Sequence, residues 1–222
     1  MDTLPRIAAY GGWLAGPGVE RGLIGPREAP RLWERHLLNC GLLTPLLPAD
    51  ASVADIGSGA GLPGLVLALA RPDLRVTLVE PLLRRTVFLA EVAEALGADN
   101  VEVVRARADA LHGQRRFDVV TSRAVAPLER LLSWSMPLVS ATGALLAMKG
   151  SSVAEEIATA RPTLRRLGAA APEILTLGGT DGLPETCAVR VVWADPTAVA
   201  WPPPPTSARR PARASARRKG HA

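Results

Sequence analysis

The chain has 222 residues, 48% of them apolar and 21% charged, with a formal net charge of +5 and two cysteines. That length suits one α/β domain with a sizeable core and short extensions. No stretch reaches the roughly 18 apolar residues that span a bilayer, and the start lacks the compact apolar run of a secretion signal, so a soluble cytoplasmic protein is expected.

Residues 1–50 read as a helical cap. Residues 4–15 and 29–43 carry helical apolar spacing, separated by the glycine- and proline-rich 16–26. The second segment brings Arg31, Arg35 and His36 beside Trp33, a mix suited to phosphate and base contact, although core packing is the plainer role for Trp33. From 51 to 195, apolar runs alternate with helical stretches, the pattern of a mostly parallel, Rossmann-like sheet covered on both faces. Strands are expected at 52–56, 75–79, 101–104, 117–121 and 143–148, and helices at 62–70, 83–96 and 128–139. Pro63 and Pro127 stand where a first helical turn tolerates proline. A helix at 152–167 and strands at 173–177 and 188–193, the last preceded by Gly178-Gly179-Thr180-Asp181-Gly182, close the pattern as a hairpin-like pair.

Residues 196–222 are expected to be a disordered basic tail, since Trp201-Pro202-Pro203-Pro204-Pro205 leads into Ala, Ser, Arg and Pro. Arg209, Arg210, Arg213, Arg217, Arg218 and Lys219 stand there without an acid, so the rest of the chain is close to neutral. Such a tail is either a phosphate-seeking arm for RNA or a solubilising extension. Cys40 and Cys187 lack CxxC spacing and His36, His112 and His221 lie far apart, so neither a disulfide framework nor a metal site is expected.

The chemistry concentrates in Ser52-Val53-Ala54-Asp55-Ile56-Gly57-Ser58-Gly59-Ala60-Gly61-Leu62-Pro63-Gly64, an apolar strand entering a glycine cluster and then a helix. Glycines there permit positive φ and close backbone approach, and the helix start offers unpaired N–H groups to a charged ligand. Glu80 ends the next strand about 20 residues on, where a carboxylate holds ribose hydroxyls. Gly59, Gly61 and Gly64 can be read as G-x-G-x-x-G, so a nicotinamide cofactor is not excluded by spacing. Asp55 followed by G-x-G-x-G resembles motif I of the class I S-adenosylmethionine methyltransferases, and a glycine-rich turn that binds nothing is the bland alternative.

Trp33-Glu34-Arg35-His36-Leu37-Leu38-Asn39, the glycine loop with its Leu62-Pro63-Gly64, Thr121-Ser122-Arg123-Ala124 and Met148-Lys149-Gly150 together resemble the bacterial 16S ribosomal RNA guanine-N7 methyltransferases of the glucose-inhibited-division-B family. The resemblance covers about residues 6–193, and Arg21-Gly22-Leu23-Ile24-Gly25 is similar to the family's actinobacterial branch. It implies a class I methyltransferase fold with a seventh strand inserted antiparallel and an N-terminal helical cap. It implies S-adenosylmethionine contacts at Gly57, Gly59, Gly61, Leu62, Glu80, Ala108, Asp109 and Arg123, with Asp109 near the adenine or, alternatively, a helix cap. Arg123 is the expected catalytic residue. Arg35, His36 and Lys149 are the expected substrate contacts, and 16S ribosomal RNA or the small subunit is the expected partner, with no metal and no membrane.

Missing residues narrow the reaction further. Asp/Asn-Pro-Pro-aromatic, which serves exocyclic amines, is replaced by Thr121-Ser122-Arg123-Ala124, and neither cysteine is at the end of strand four or five to attack a cytosine ring. Guanine N7 carries an in-plane lone pair and no proton, so positioning and field suffice for its methylation. A small-molecule methyltransferase, a nicotinamide oxidoreductase and a non-catalytic RNA-binding module remain as alternatives.

Overall fold

The computed structural model describes residues 3–123, 126–180 and 182–199. The basic segment from Trp201 onward and Ala124 lie outside them. Seven strands form one sheet in the order β3-β2-β1-β4-β5-β7-β6, comprising β1 (Ser52–Ile56), β2 (Arg75–Val79), β3 (Val101–Val104), β4 (Phe117–Arg123), β5 (Val139–Lys149), β6 (Glu173–Leu177) and β7 (Thr186–Val191). The first five run parallel, and β7 is inserted antiparallel between β5 and β6. Because both faces are covered, the central strands are apolar at nearly every position. Val53, Val76, Leu78 and Leu146 face one core with the cap, α3 (Gly64–Ala70) and α4 (Leu83–Ala95). Ala54, Ile56, Val120 and Leu145 face the other, under α5 (Leu128–Ser135) and α6 (Val153–Leu167).

Where the element boundaries differ from expectation, local chemistry gives the reason. The expected helix 128–139 ends at Ser135 and tightens into a 3₁₀ turn at Met136–Leu138, where Pro137 has no N–H to continue it. The strand expected from residue 143 starts at Val139, because an irregularity in the β4–β5 pairing takes up the residues before Ala144. Gly143 permits it: a Cβ there would lie 2.5 Å from the Asp118 carbonyl oxygen. The last strand runs from Thr186 to Val191 rather than to Trp193, whose indole N–H instead donates to the Ser140 carbonyl at 3.1 Å.

The cap is less regular than its apolar spacing suggests. α1 (Thr3–Trp13) continues as a wide π turn over Leu14–Gly18, so the expected break at residue 16 is still helical, with Pro17 inside it. The second segment is a 3₁₀ turn (Ala29–Arg31), a π turn (Trp33–Leu38) and α2 (Asn39–Gly41) rather than one α-helix. Leu32 and Leu37, five residues apart, both point into the core, a spacing the wider π turn accommodates. Trp33 falls off that stripe and is 45% exposed, which corrects its expected core role.

α1 packs against α3 and reaches α4 and the turn after it through long side chains. Arg6 donates to the carbonyls of Leu96 at 3.0 Å and Gly97 at 2.6 Å, where that helix leaves its last carbonyls unpaired. Trp13 packs edge-on against Phe88, and Arg21 pairs with Glu91 at 2.6 Å. Among the described residues no helix is long and apolar enough to cross a membrane, and no group of three or more His, Cys, Asp or Glu is placed to hold a metal ion.

Candidate active site

The glycine loop leaves β1 with three left-handed residues, Gly57, Gly59 and Gly61. The N–H groups of Gly57 (2.8 Å) and Ser58 (3.2 Å) both donate to the Val79 carbonyl, tying the loop to the end of β2. Gly57 and Gly59 open toward a cleft of about 640 Å³ at the carboxyl edge of the sheet, where open α/β sheets bind ligands. Gly61 points elsewhere: a Cβ there would meet Leu65 at 2.4 Å and the Tyr10 hydroxyl at 2.8 Å. Its need for glycine is therefore its positive φ together with packing, and it does not line the cleft. Gly64 is equally confined, 2.3 Å from Leu78 and 2.8 Å from Asp55 on the same test.

Glu80 is buried on the cleft's other wall. Its Oε2 accepts from the Gly59 N–H at 3.0 Å and its Oε1 from the Leu82 N–H at 3.0 Å. The Arg85 guanidinium also reaches Oε2, at 3.5 Å, and since a carboxylate has about four acceptor positions, capacity remains for a hydroxyl group. Ile56, Leu62, Val79 and Ala108 form the apolar part of the remaining lining, beside the cationic Arg85, Arg107 and Arg123. Asp109 stands at the rim, half exposed, and accepts from Arg107 at 3.3 Å.

Beneath the loop, Asp55 is fully buried. One oxygen accepts from the Gly64 N–H at 3.0 Å and the other has no hydrogen-bond partner. Burial pushes its carboxyl up to about 7, against the Gly64 hydrogen bond and with the Glu80 charge adding to the rise. Tyr10, also buried, donates to the Ala60 carbonyl at 2.8 Å.

Arg123 ends β4 and lines two clefts at once. The first holds the glycine loop and Glu80, and the second is bounded by Asn39, Pro127, Met148, Lys149 and Glu156. Its guanidinium donates to His36 Nδ1, to the Arg35 carbonyl at 3.2 Å and to the Cys40 sulfur at 3.5 Å. Among the described residues, the hydrogen-bond partners of this guanidinium all come from the cap. His36 Nε2 lies 3.0 Å from Glu28 Oε2, and burial and then Arg123 depress the imidazole's proton affinity, with Glu28 opposing them. Burial raises the Cys40 thiol to about 11, so the sulfur meets Arg123 as a neutral thiol.

The other expected substrate contacts part company. Arg35 is exposed, its guanidinium 3.4 Å from Glu28. The Lys149 side chain is 5% exposed, and its ammonium donates to Glu156 at 2.7 Å and to the Ala126 carbonyl at 2.6 Å. Glu156 also accepts from the Leu128 N–H at 2.7 Å, so this pair fastens the start of α5 under the second cleft. The sequence pointed to neither Glu28 nor Glu156, because no local spacing links them to His36 or to the end of β4. Tyr10, the chain's one tyrosine within an apolar helical run, carried a signal that could have been read.

Residues 3–180 match the family model described as rRNA small subunit methyltransferase G, GidB. The chain is 69% identical over 199 residues, 90% of its own length and 80% of the relative's, to a Nocardioides sp. protein named ribosomal RNA small subunit methyltransferase G. A Thermobifida fusca protein of the same name is 54% identical over 190 residues, 86% of this chain and 80% of that one. Among solved structures, the Geobacter metallireducens precorrin-6y C5,15-methyltransferase superposes with a TM-score of 0.52 at 18% identity, covering 78% of this chain and 90% of that chain. The B. subtilis tRNA methyltransferase TrmK gives 0.53 at 16% identity over 72% of this chain and 67% of its own. At such identities the two structures establish the shared fold alone.

Proposed function

Since the chain belongs to the rRNA small subunit methyltransferase G (GidB) family, we propose that it transfers a methyl group from S-adenosylmethionine to N7 of a guanine in 16S ribosomal RNA. The observation that carries this reading is Arg123, which borders both the cleft with the glycine loop and a second cleft beside it.

The residues of the first cleft fit the donor. Gly57 and Gly59 present backbone without side chains, Glu80 offers acceptor capacity at a buried wall, and Leu62 and Ala108 supply apolar surface for a planar base. When bound, S-adenosylmethionine supplies an electrophilic methyl group on a sulfonium. Guanine N7 brings its own lone pair, so no residue of this chain is asked to remove a proton. What the chain must do is orient the base. Guanine presents N7 and O6 side by side as acceptors, and Arg123, which only donates, can hold O6 while leaving N7 free. The exposed Arg35 and the basic segment after residue 198 supply phosphate-seeking charge, with His36 and Lys149 flanking the two clefts. In this reading residues 1–50 form the cap, 51–195 the catalytic core and 196–222 a basic arm, working in the cytoplasm on the small ribosomal subunit or its RNA.

The test is primer extension after chemical cleavage at N7-methylguanine in 16S RNA. Deleting the gene should abolish one stop, wild-type protein should restore it, and an Arg123→Ala protein should not. A stop that persists without the gene defeats the substrate assignment.

A further inference from the structure

The reading of Arg123 as the residue that faces both clefts leaves open what holds its guanidinium in place. Three cap groups surround it: the Arg35 carbonyl, the Cys40 sulfur and the imidazole of His36. The Arg35 carbonyl also accepts from the Asn39 side-chain amide at 3.2 Å, and the imidazole is held by a carboxylate through its other ring nitrogen. An arginine in a protein cannot accept a hydrogen bond, so Nδ1 of His36 must present its lone pair to Arg123. In the neutral ring the proton then resides on Nε2, which donates to Glu28 Oε2 at 3.0 Å. Glu28 and Arg123, 95 positions apart in the chain, therefore select the same tautomer from opposite sides of the ring.

We propose that His36 is a positioning residue for Arg123, with Glu28 fixing the imidazole so that its Nδ1 lone pair aims the guanidinium between the two clefts. The assignment rests on the functional reading above only for its consequence in catalysis. The hydrogen-bond relay itself stands on the geometry of this chain.

A protonated ring would turn an N–H toward the guanidinium, replacing a hydrogen bond with a like-charge contact. The charged groups facing the ring are Glu28 from the preceding loop, Arg35 on its own turn and Arg123 from β4. The two cations and burial hold the ring neutral near pH 7, while Glu28 works the other way. Acidification below the ordinary histidine range should thus release Arg123, and removing Glu28 should push that release to lower pH.

The experiment combines nitrogen-15 NMR of the histidine ring with kinetics on the full chain. At neutral pH, His36 should show an unprotonated Nδ1 and a protonated Nε2. Its titration midpoint should rise in Arg123→Met and fall in Glu28→Gln. In methyl transfer to 16S RNA, His36→Asn, which keeps an acceptor near the Nδ1 position, should retain more activity than His36→Gln. His36→Gln should lose roughly ten- to a hundredfold in kcat, the worth of a hydrogen bond to a charged group, with little change in KM for the methyl donor. The acid limb of the kcat profile should move to lower pH in Glu28→Gln. A protonated Nδ1 in the wild type, or a midpoint indifferent to both neighbours, overturns the relay. Equal kcat for the two His36 variants overturns its positioning role. If the wild type fails to methylate 16S RNA, the functional reading falls, and the ring spectra still decide the relay.

Discussion

The hydroxyl of Tyr10 donates to the carbonyl of Ala60 at 2.8 Å, so the first helix of the cap is bonded directly to the glycine loop fifty residues on. Tyr10→Phe keeps the packing and leaves a buried carbonyl without its partner. We expect a loss of about 1–3 kcal/mol in stability, which in a chain of this size lowers the melting temperature by roughly 2–4 °C per kcal/mol. Calorimetric titration should show weaker donor binding as the loop loosens. Unchanged melting and binding would mean the contact contributes nothing.

Glu80→Gln tests the second wall of the cleft. Both carboxylate oxygens accept from backbone N–H groups, those of Gly59 and Leu82. An amide can accept on one side only, and its NH₂ would face a donor on the other. The variant should bind S-adenosylmethionine about ten- to a hundredfold more weakly, since one buried bond of this kind is worth about 1–3 kcal/mol. Titration calorimetry measures it.

Arg35 and Lys149 are both cationic and should behave differently on RNA. Arg35 is exposed, whereas the Lys149 ammonium is buried between Glu156 and the Ala126 carbonyl. Each phosphate contact contributes about 0.7–0.9 to the slope of log affinity against log salt. Arg35→Ala should lower that slope by about this amount. Lys149→Met should instead cost stability, in the direction of the roughly 3–5 kcal/mol seen on breaking a buried pair but less because Glu156 is partly solvated. A fall in salt slope without loss of stability in Lys149→Met would assign its charge to RNA.

Asp55 makes stability depend on pH. Its carboxyl rises to about 7 in the folded chain from about 4 in an unfolded one, so the native state holds a proton that the unfolded state has lost. The contribution is whole below about pH 4 and disappears as the pH climbs through about 7. Asp55→Asn should flatten the stability profile in that window, as measured by urea unfolding between pH 4 and 7. A variant profile parallel to the wild type would remove Asp55 as the source.

The parallel half of the sheet was legible because buried strands are continuous apolar runs: 52–56, 75–79 and 101–104 are strands with those same bounds. The start of β5 was not, since the pairing irregularity before Ala144 has no periodic signature. Within the cap, apolar spacing showed helicity but not the π turns that expose Trp33. Of the site, the glycine loop and Glu80 could be read from spacing along one strand-turn-helix unit. Glu28, His36 and Arg123 could not be read as a group, because their relation exists only once the cap has folded over the end of β4.

Arg6 and Trp13 of α1, with Arg21 of the segment that follows, bond the cap to α4 and the turn after it and so give the cleft a fixed wall in this structure. With that wall in place, the open mouth of the cleft would be the route by which small molecules enter and leave.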